Sequence, residues 1–288
     1  MKHEATKPQR KSFSSFSFLV SLWLCVGCFL FFLSSPLVAE EWVFLPDRPL
    51  FRLLAADPRE PHLSATAYLN TNQWEGAIGQ SFEFLRYQSE GAGEWGWGLL
   101  ASAFTWLDEN GATFPMRDSD WHVGTYISQR PVGSPLSFRL EYLHVSSHLG
   151  DALSAQQARI IYTRESFRMT GSYEILPEWR FYAGGGYYGH IAPAELPWFF
   201  HAGTEIYSQP FLFLDTNLRF YAGYDLKIKQ EAGGVTNHAL QAGFQWKPKD
   251  GKEQAVRLAL TYFNGNAEWG QFYQQKDEHL GLGLFFDP

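Results

Sequence analysis

FLFLDTNLRFYAGYDLKI, residues 211–228, alternates with a period of two. Its even positions include Leu212, Leu214, Leu218, Phe220, Ala222, Tyr224, Leu226 and Ile228. Its odd positions include Asp215, Asn217, Arg219, Tyr221, Asp225 and Lys227. Side chains of a strand point alternately to its two faces, so one face is apolar and the other polar. The run is longer than an ordinary sandwich strand. A bilayer crossing by a tilted strand takes about 9–11 residues. One face therefore suits lipid and the other a polar lumen.

The pattern recurs along the chain. Leu240, Ala242, Phe244 and Trp246 alternate with Gln241, Gly243 and Gln245. Leu280, Leu282, Leu284 and Phe286 alternate with Gly281, Gly283 and Phe285. Turn signals separate such runs: DENG at 108–111, RPVGSP at 130–135, QEAGG at 230–234 and KPKDGK at 247–252. About twelve strands result, centred near 65, 81, 101, 125, 141, 166, 184, 203, 219, 242, 259 and 282. The fold class is all-β: a transmembrane, antiparallel, up-and-down β-barrel over residues 62–288. An even count fits a single-chain bacterial barrel, and closure pairs every backbone group inside the membrane. The sixth strand, within 158–175, alternates poorly and predicts a bulge. The glycines of AGGGYYG, 183–189, form no phosphate loop and read as relief of crowding or curvature.

Composition agrees. Aromatic residues make up 17 % of the chain, and they supply the girdles of a membrane barrel. Mean hydropathy is slightly negative, unlike that of a helical membrane protein. Residues 1–39 read as a signal peptide, with a basic start (Lys2, Lys7, Arg10, Lys11), an apolar run over 16–33 and Ala39 before the cut. Both cysteines, Cys25 and Cys28, fall in it, so the mature chain has no thiol chemistry and no disulfide. Its removal takes away four basic residues and one acidic residue, leaving a chain more acidic than the full-length value of −7. Nucleic acid is excluded as a partner, because it needs a basic surface. Residues 40–61, EEWVFLPDRPLFRLLAADPREP, do not alternate, and their prolines exclude a central strand. They read as a periplasmic lead-in or a plug in the barrel mouth.

One stretch carries candidate chemistry. In EYLHVSSHLGD, 141–151, Arg139 and Glu141 share the polar, lumenal parity, as do Asp215, Arg219, Asp225 and Lys227 in the later strand. His144 and Ser146 share parity with Phe138, Leu140 and Tyr142, so both point outward. A polar pair on a lipid face is expensive unless it lies near headgroups or performs a function. With the N-terminus in the periplasm, this fifth strand ends at the cell surface. His144 and Ser146 then lie level with lipid headgroups and ester bonds, as base and nucleophile of an esterase. His148, Asp151, Gln157 and Arg159 are candidate binding residues: His144 and His148 could bond loop backbone or lipopolysaccharide phosphate, and Gln157 or Arg159 could lie beside His144. No metal site is read here, and no cofactor is expected.

His144-Val145-Ser146 resembles the His-x-Ser of two outer-membrane hydrolase families, phospholipase A and the lipid A 3-O-deacylase. That resemblance implies a histidine activating a serine against a lipid ester, with a third residue orienting the histidine. More broadly, LLAADPREP at 53–61, HVSSHLGD at 144–151 and the strand pattern together resemble an uncharacterised bacterial outer-membrane family, domain of unknown function twelve-oh-seven. HLGLGLFF, 279–286, resembles the terminal assembly signal of such barrels. It implies contact with the assembly machinery through Gly281, Leu284 and Phe286. The expected location is the bacterial outer membrane, with outer-membrane lipids and lipopolysaccharide as partners. The readings left open are a structural or lipid-interacting barrel, a lipid esterase and a narrow channel.

Overall fold

The computed structural model describes residues 40–287 except 152, 154–157, 214–215 and 249–253. The expected signal peptide therefore lies outside the described residues, as do Gln157 and Asp215. The strands are β1 (Glu40–Phe44), β2 (Leu63–Tyr68), β3 (Gln73–Ser89), β4 (Gly93–Asp108), β5 (Met116–Arg130), β6 (Leu136–Leu149) and β7 (Tyr162–Leu176). They continue with β8 (Trp179–Ala192), β9 (Trp198–Tyr207), β10 (Phe211–Phe213), β11 (Thr216–Lys229), β12 (Val235–Lys247), β13 (Ala255–Asn266) and β14 (Lys276–Asp287).

Twelve of them, β2–β9 and β11–β14, form one antiparallel ring, closed where β14 pairs β2 and β2 pairs β3. Each sequence-derived strand centre falls inside one of the twelve. Closure leaves no sheet edge around the ring's middle, the condition for strands in hydrocarbon. Outward positions carry exposed Ile78, Val123, Leu140, Phe167, Leu240, Leu260 and Leu282, and inward positions are mostly polar, aromatic or small.

Two details differ from the sequence reading. The run 211–228 is not one strand. Phe211–Phe213 folds back as β10 on the start of β11, pairing Phe213 with Thr216. The alternation of residue types runs on through the reversal, so it cannot reveal it, although the faces swap: odd positions of β10 oppose even positions of β11. Residues 40–44 form β1, an added strand on the lower part of β3, and end just before Pro46. Register shifts between β7 and β8 place an extra residue at Ile175 on β7, within the stretch whose poor alternation predicts a bulge, and another at Gly189 on β8.

The lumen is filled. Residues 45–62 run inside the ring, with contacts to many walls. The Leu50 amide donates to Glu83 of β3, 3.0 Å, and the Ala55 amide to Glu205 of β9, 2.7 Å. Arg139 of β6 meets Glu60, Arg168 of β7 meets Asp57, and Arg257 of β13 donates to the Ala55 carbonyl. At the end of the barrel where β6 finishes, residues 267–275 fold inward. Trp269 stacks on Trp106 at 5.5 Å and packs with Phe272, Phe104, Tyr68 and Leu149. Gly270 and Gln271 donate backbone N–H bonds to Asp120 and Asp118, both at 3.2 Å.

Candidate functional site

Two regions hold concentrated polar chemistry, one on the outer wall and one in the lumen. The outer-wall region follows from register. Val123 of β5, His144 of β6, Glu165 of β7 and His190 of β8 lie in one cross-strand row. The next row toward the β6 end holds Trp121, Ser146 and Thr163. The row on the other side holds Thr125, Tyr142 and Phe167. Outward parity thus gathers Tyr142, His144, Ser146, Glu165 and His190 on a wall otherwise lined by Val123, Phe167 and Trp121.

Glu165 is the centre of this patch. Its Oε1 is 2.6 Å from His144 Nδ1, and Tyr142 donates its hydroxyl to Oε2. The side chains of His144 and Glu165 are 38 % and 27 % exposed, so the pair lies open on the wall. A carboxylate this close fixes the proton on Nδ1 and leaves Nε2 as the acceptor. Ser146 shares the face two residues on, and no hydrogen bond joins it to His144. Such contacts often tighten only when substrate arrives.

The residue beside His144 is Glu165. Gln157 is outside the described residues, and Arg159 is exposed and precedes the start of β7. Sequence reasoning missed Glu165 because the β6–β7 register was unknown, although its parity with outward Phe167 was visible. His148 is exposed on the outward side of β6, and Asp151 is exposed just beyond it. Neither contacts the His144–Glu165 pair.

The lumenal candidates gather around residues 45–62. Arg139 grips Glu60 with two bonds, 2.6 and 2.9 Å. Glu141 pairs with Arg168 at 3.0 Å and lies 3.5 Å from Arg139. Lys227 reaches Asp57 at 2.5 Å, and Asp225 accepts from Tyr182 at 2.8 Å. Burial would raise the Asp57 carboxyl, but Lys227 and Arg168 outweigh it and hold it well below the usual carboxylate range. Arg219 stands apart, bonded to Gln245 at 2.6 Å and stacked over Tyr207. Above the cluster lies a cavity of about 80 Å³ lined by Arg59, Arg164, Arg168, His201, Lys227 and Lys229 among others. On β14, Leu284 and Phe286 face outward, whereas Gly281 faces inward between Thr66 and Thr261.

These features define a class: a closed twelve-stranded β-barrel with an apolar outer wall and a lumen filled by its own chain. The chain belongs to the family described as Protein of unknown function (DUF1207), whose model matches residues 34–287. No curated protein sequence matches it. Among solved structures, a KdgM porin is similar over 79 % of this chain and 98 % of its own, at 7 % identity and a TM-score of 0.43.

Proposed function

We propose that the protein is a bacterial outer-membrane barrel, plugged by its residues 45–62, that engages membrane lipid through its outer wall. The observation behind this reading is the Glu165–His144 contact at 2.6 Å, facing outward among apolar side chains. Ionisable groups on a lipid face are expensive and are retained for function. Near the end of β6 the pair is level with headgroups, where the Ser146 hydroxyl can donate a hydrogen bond to a headgroup oxygen and His144 Nε2 can accept one. The test is co-purification: native mass spectrometry of the folded protein against His144→Ala and Glu165→Gln. Retained phospholipid or lipopolysaccharide that both variants lose supports the site. Equal retention by all three removes it.

A second reading, ester hydrolysis, is favoured by one specific arrangement. The Glu165 carboxylate is on Nδ1, so Nε2 is free to take a proton from Ser146 as the hydroxyl attacks a lipid ester. Fatty-acid release from phospholipid or lipopolysaccharide by the folded protein, absent in Ser146→Ala, is the expected result. Silence from both across pH and calcium leaves binding alone. A channel reading requires residues 45–62 to leave the lumen. Planar-bilayer recordings of the intact chain are expected to show no steady open-pore conductance.

A further inference from the structure

Three residues that no sequence motif connects meet inside the barrel. Asp57 comes from residues 45–62, His201 from β9 and Asp225 from β11. One ligand atom from each lies within 4.8 Å of the other two, and all three residues are buried. His201 Nε2 is 2.9 Å from Thr170 Oγ1. Its Nδ1 has no hydrogen-bond partner and is aimed at Asp225 Oδ2, 3.9 Å away. Buried polar atoms are almost always bonded, and 3.9 Å is too long for a hydrogen bond. With Nε2–H donating to Thr170, a nitrogen lone pair faces a carboxylate oxygen across that gap. A cation between them satisfies both.

The local charge points the same way. Asp225 accepts from Tyr182 and stands 3.9 Å from His201, and no lysine or arginine among the described residues forms an ion pair with it. Its buried carboxylate has no cation of its own, and buried charges need partners. Lys227 Nζ, now on Asp57, is also 4.0 Å from Glu268 Oε2. It can move wholly to Glu268, which leaves Asp57 Oδ1 with only the Arg59 amide bond. Gly184 supplies room: a Cβ there would stand 2.6 Å from His201 Nε2.

We propose that Asp57, His201 and Asp225 bind one divalent metal ion of the zinc class. An imidazole with two carboxylates is a mixed donor set that suits such ions. Thr170 is the outer-shell partner that fixes the ring of a ligating histidine. Ligand atoms of a tetrahedral zinc stand roughly 3.3 Å apart, so side-chain shifts of about an ångström complete the site. His201, though neither aspartate, also lines the 80 Å³ cavity, which has room for a water ligand on the histidine's side. The ion ties the lumen segment to β9 and β11 and gives the Asp225 carboxylate a cation.

The experiment is calorimetric titration of chelator-stripped, detergent-folded protein with zinc chloride. One ion per chain is expected. His201→Gln and Asp225→Asn should weaken binding at least about a hundredfold, Thr170→Ala roughly 10–100-fold, and His144→Ala not at all. Each variant is first checked for native barrel migration in an unheated gel. X-ray absorption of the zinc-loaded parent, which needs no variant, should show nitrogen and oxygen ligands. Absence of saturable binding, parent-like affinity in His201→Gln and Asp225→Asn, loss in His144→Ala, or an all-oxygen shell each overturns the assignment.

Discussion

Glu165 Oε1 stands 2.6 Å from His144 Nδ1 across the β6–β7 pair, on the outside of the barrel. Because the contact is with Nδ1, it orients the ring without occupying Nε2. On the hydrolytic reading, Glu165→Gln should keep the fold and lower fatty-acid release by about 10²–10⁴-fold, the range that a positioned acid–base group contributes. Rates measured beside Ser146→Ala check this. A Glu165→Gln enzyme with unchanged rate would exclude an orienting role.

Within the lumen, Glu60 and Arg139 form a buried two-bond ion pair. Removing Glu60 takes away both short bonds of the buried guanidinium and leaves it only Glu141, 3.5 Å away. Glu60→Ala is therefore expected to destabilise the barrel by roughly 3–5 kcal/mol. Urea midpoints in detergent, compared with the parent, give the difference. Glu60→Ala together with Arg139→Met should recover part of the loss, since the stranded guanidinium is then gone.

Glu268 predicts an acid response. Burial pushes its carboxyl up, but Lys229 at 2.6 Å, with Lys227, outweighs that and holds it at about 2. The folded value lies below the unfolded one, 4.5. Its stabilising contribution is thus present above pH 4.5 and is lost as pH falls toward about 2. Asp57, also lowered, acts with the same sign. Acid titration followed by tryptophan fluorescence should show the 267–275 loop loosening in that window. Glu268→Gln should flatten the change.

Trp269 closes the lumen at the end where β6 finishes. It is almost fully buried, stacked on Trp106 and lying under the Arg59 guanidinium at 4.1 Å. Trp269→Ala should lower stability by about 3–5 kcal/mol, the usual result of emptying a large aromatic site. A calorimetric melt of the folded barrel checks the figure. A change below about 1 kcal/mol would mean that the loop is not part of the cooperative unit.

Period-two alternation made the barrel legible, because each strand of a closed sheet between lipid and lumen repeats the same two-sided demand. The parity of single residues followed: Arg139, Glu141, Asp225 and Lys227 turned inward as their spacing required, and Tyr142, His144 and Ser146 outward. Parity is local, and it needs no knowledge of neighbours. What stands beside a residue depends on register, which hydrogen bonding around the whole ring decides. Hence Glu165 beside His144 appears only in three dimensions, as does the reversal of Phe211–Phe213 onto β11. The lumen is a still more distant matter. Asp57, His201 and Asp225 are separated by more than a hundred residues in part, and only closure of the ring around residues 45–62 brings them within one ion's reach.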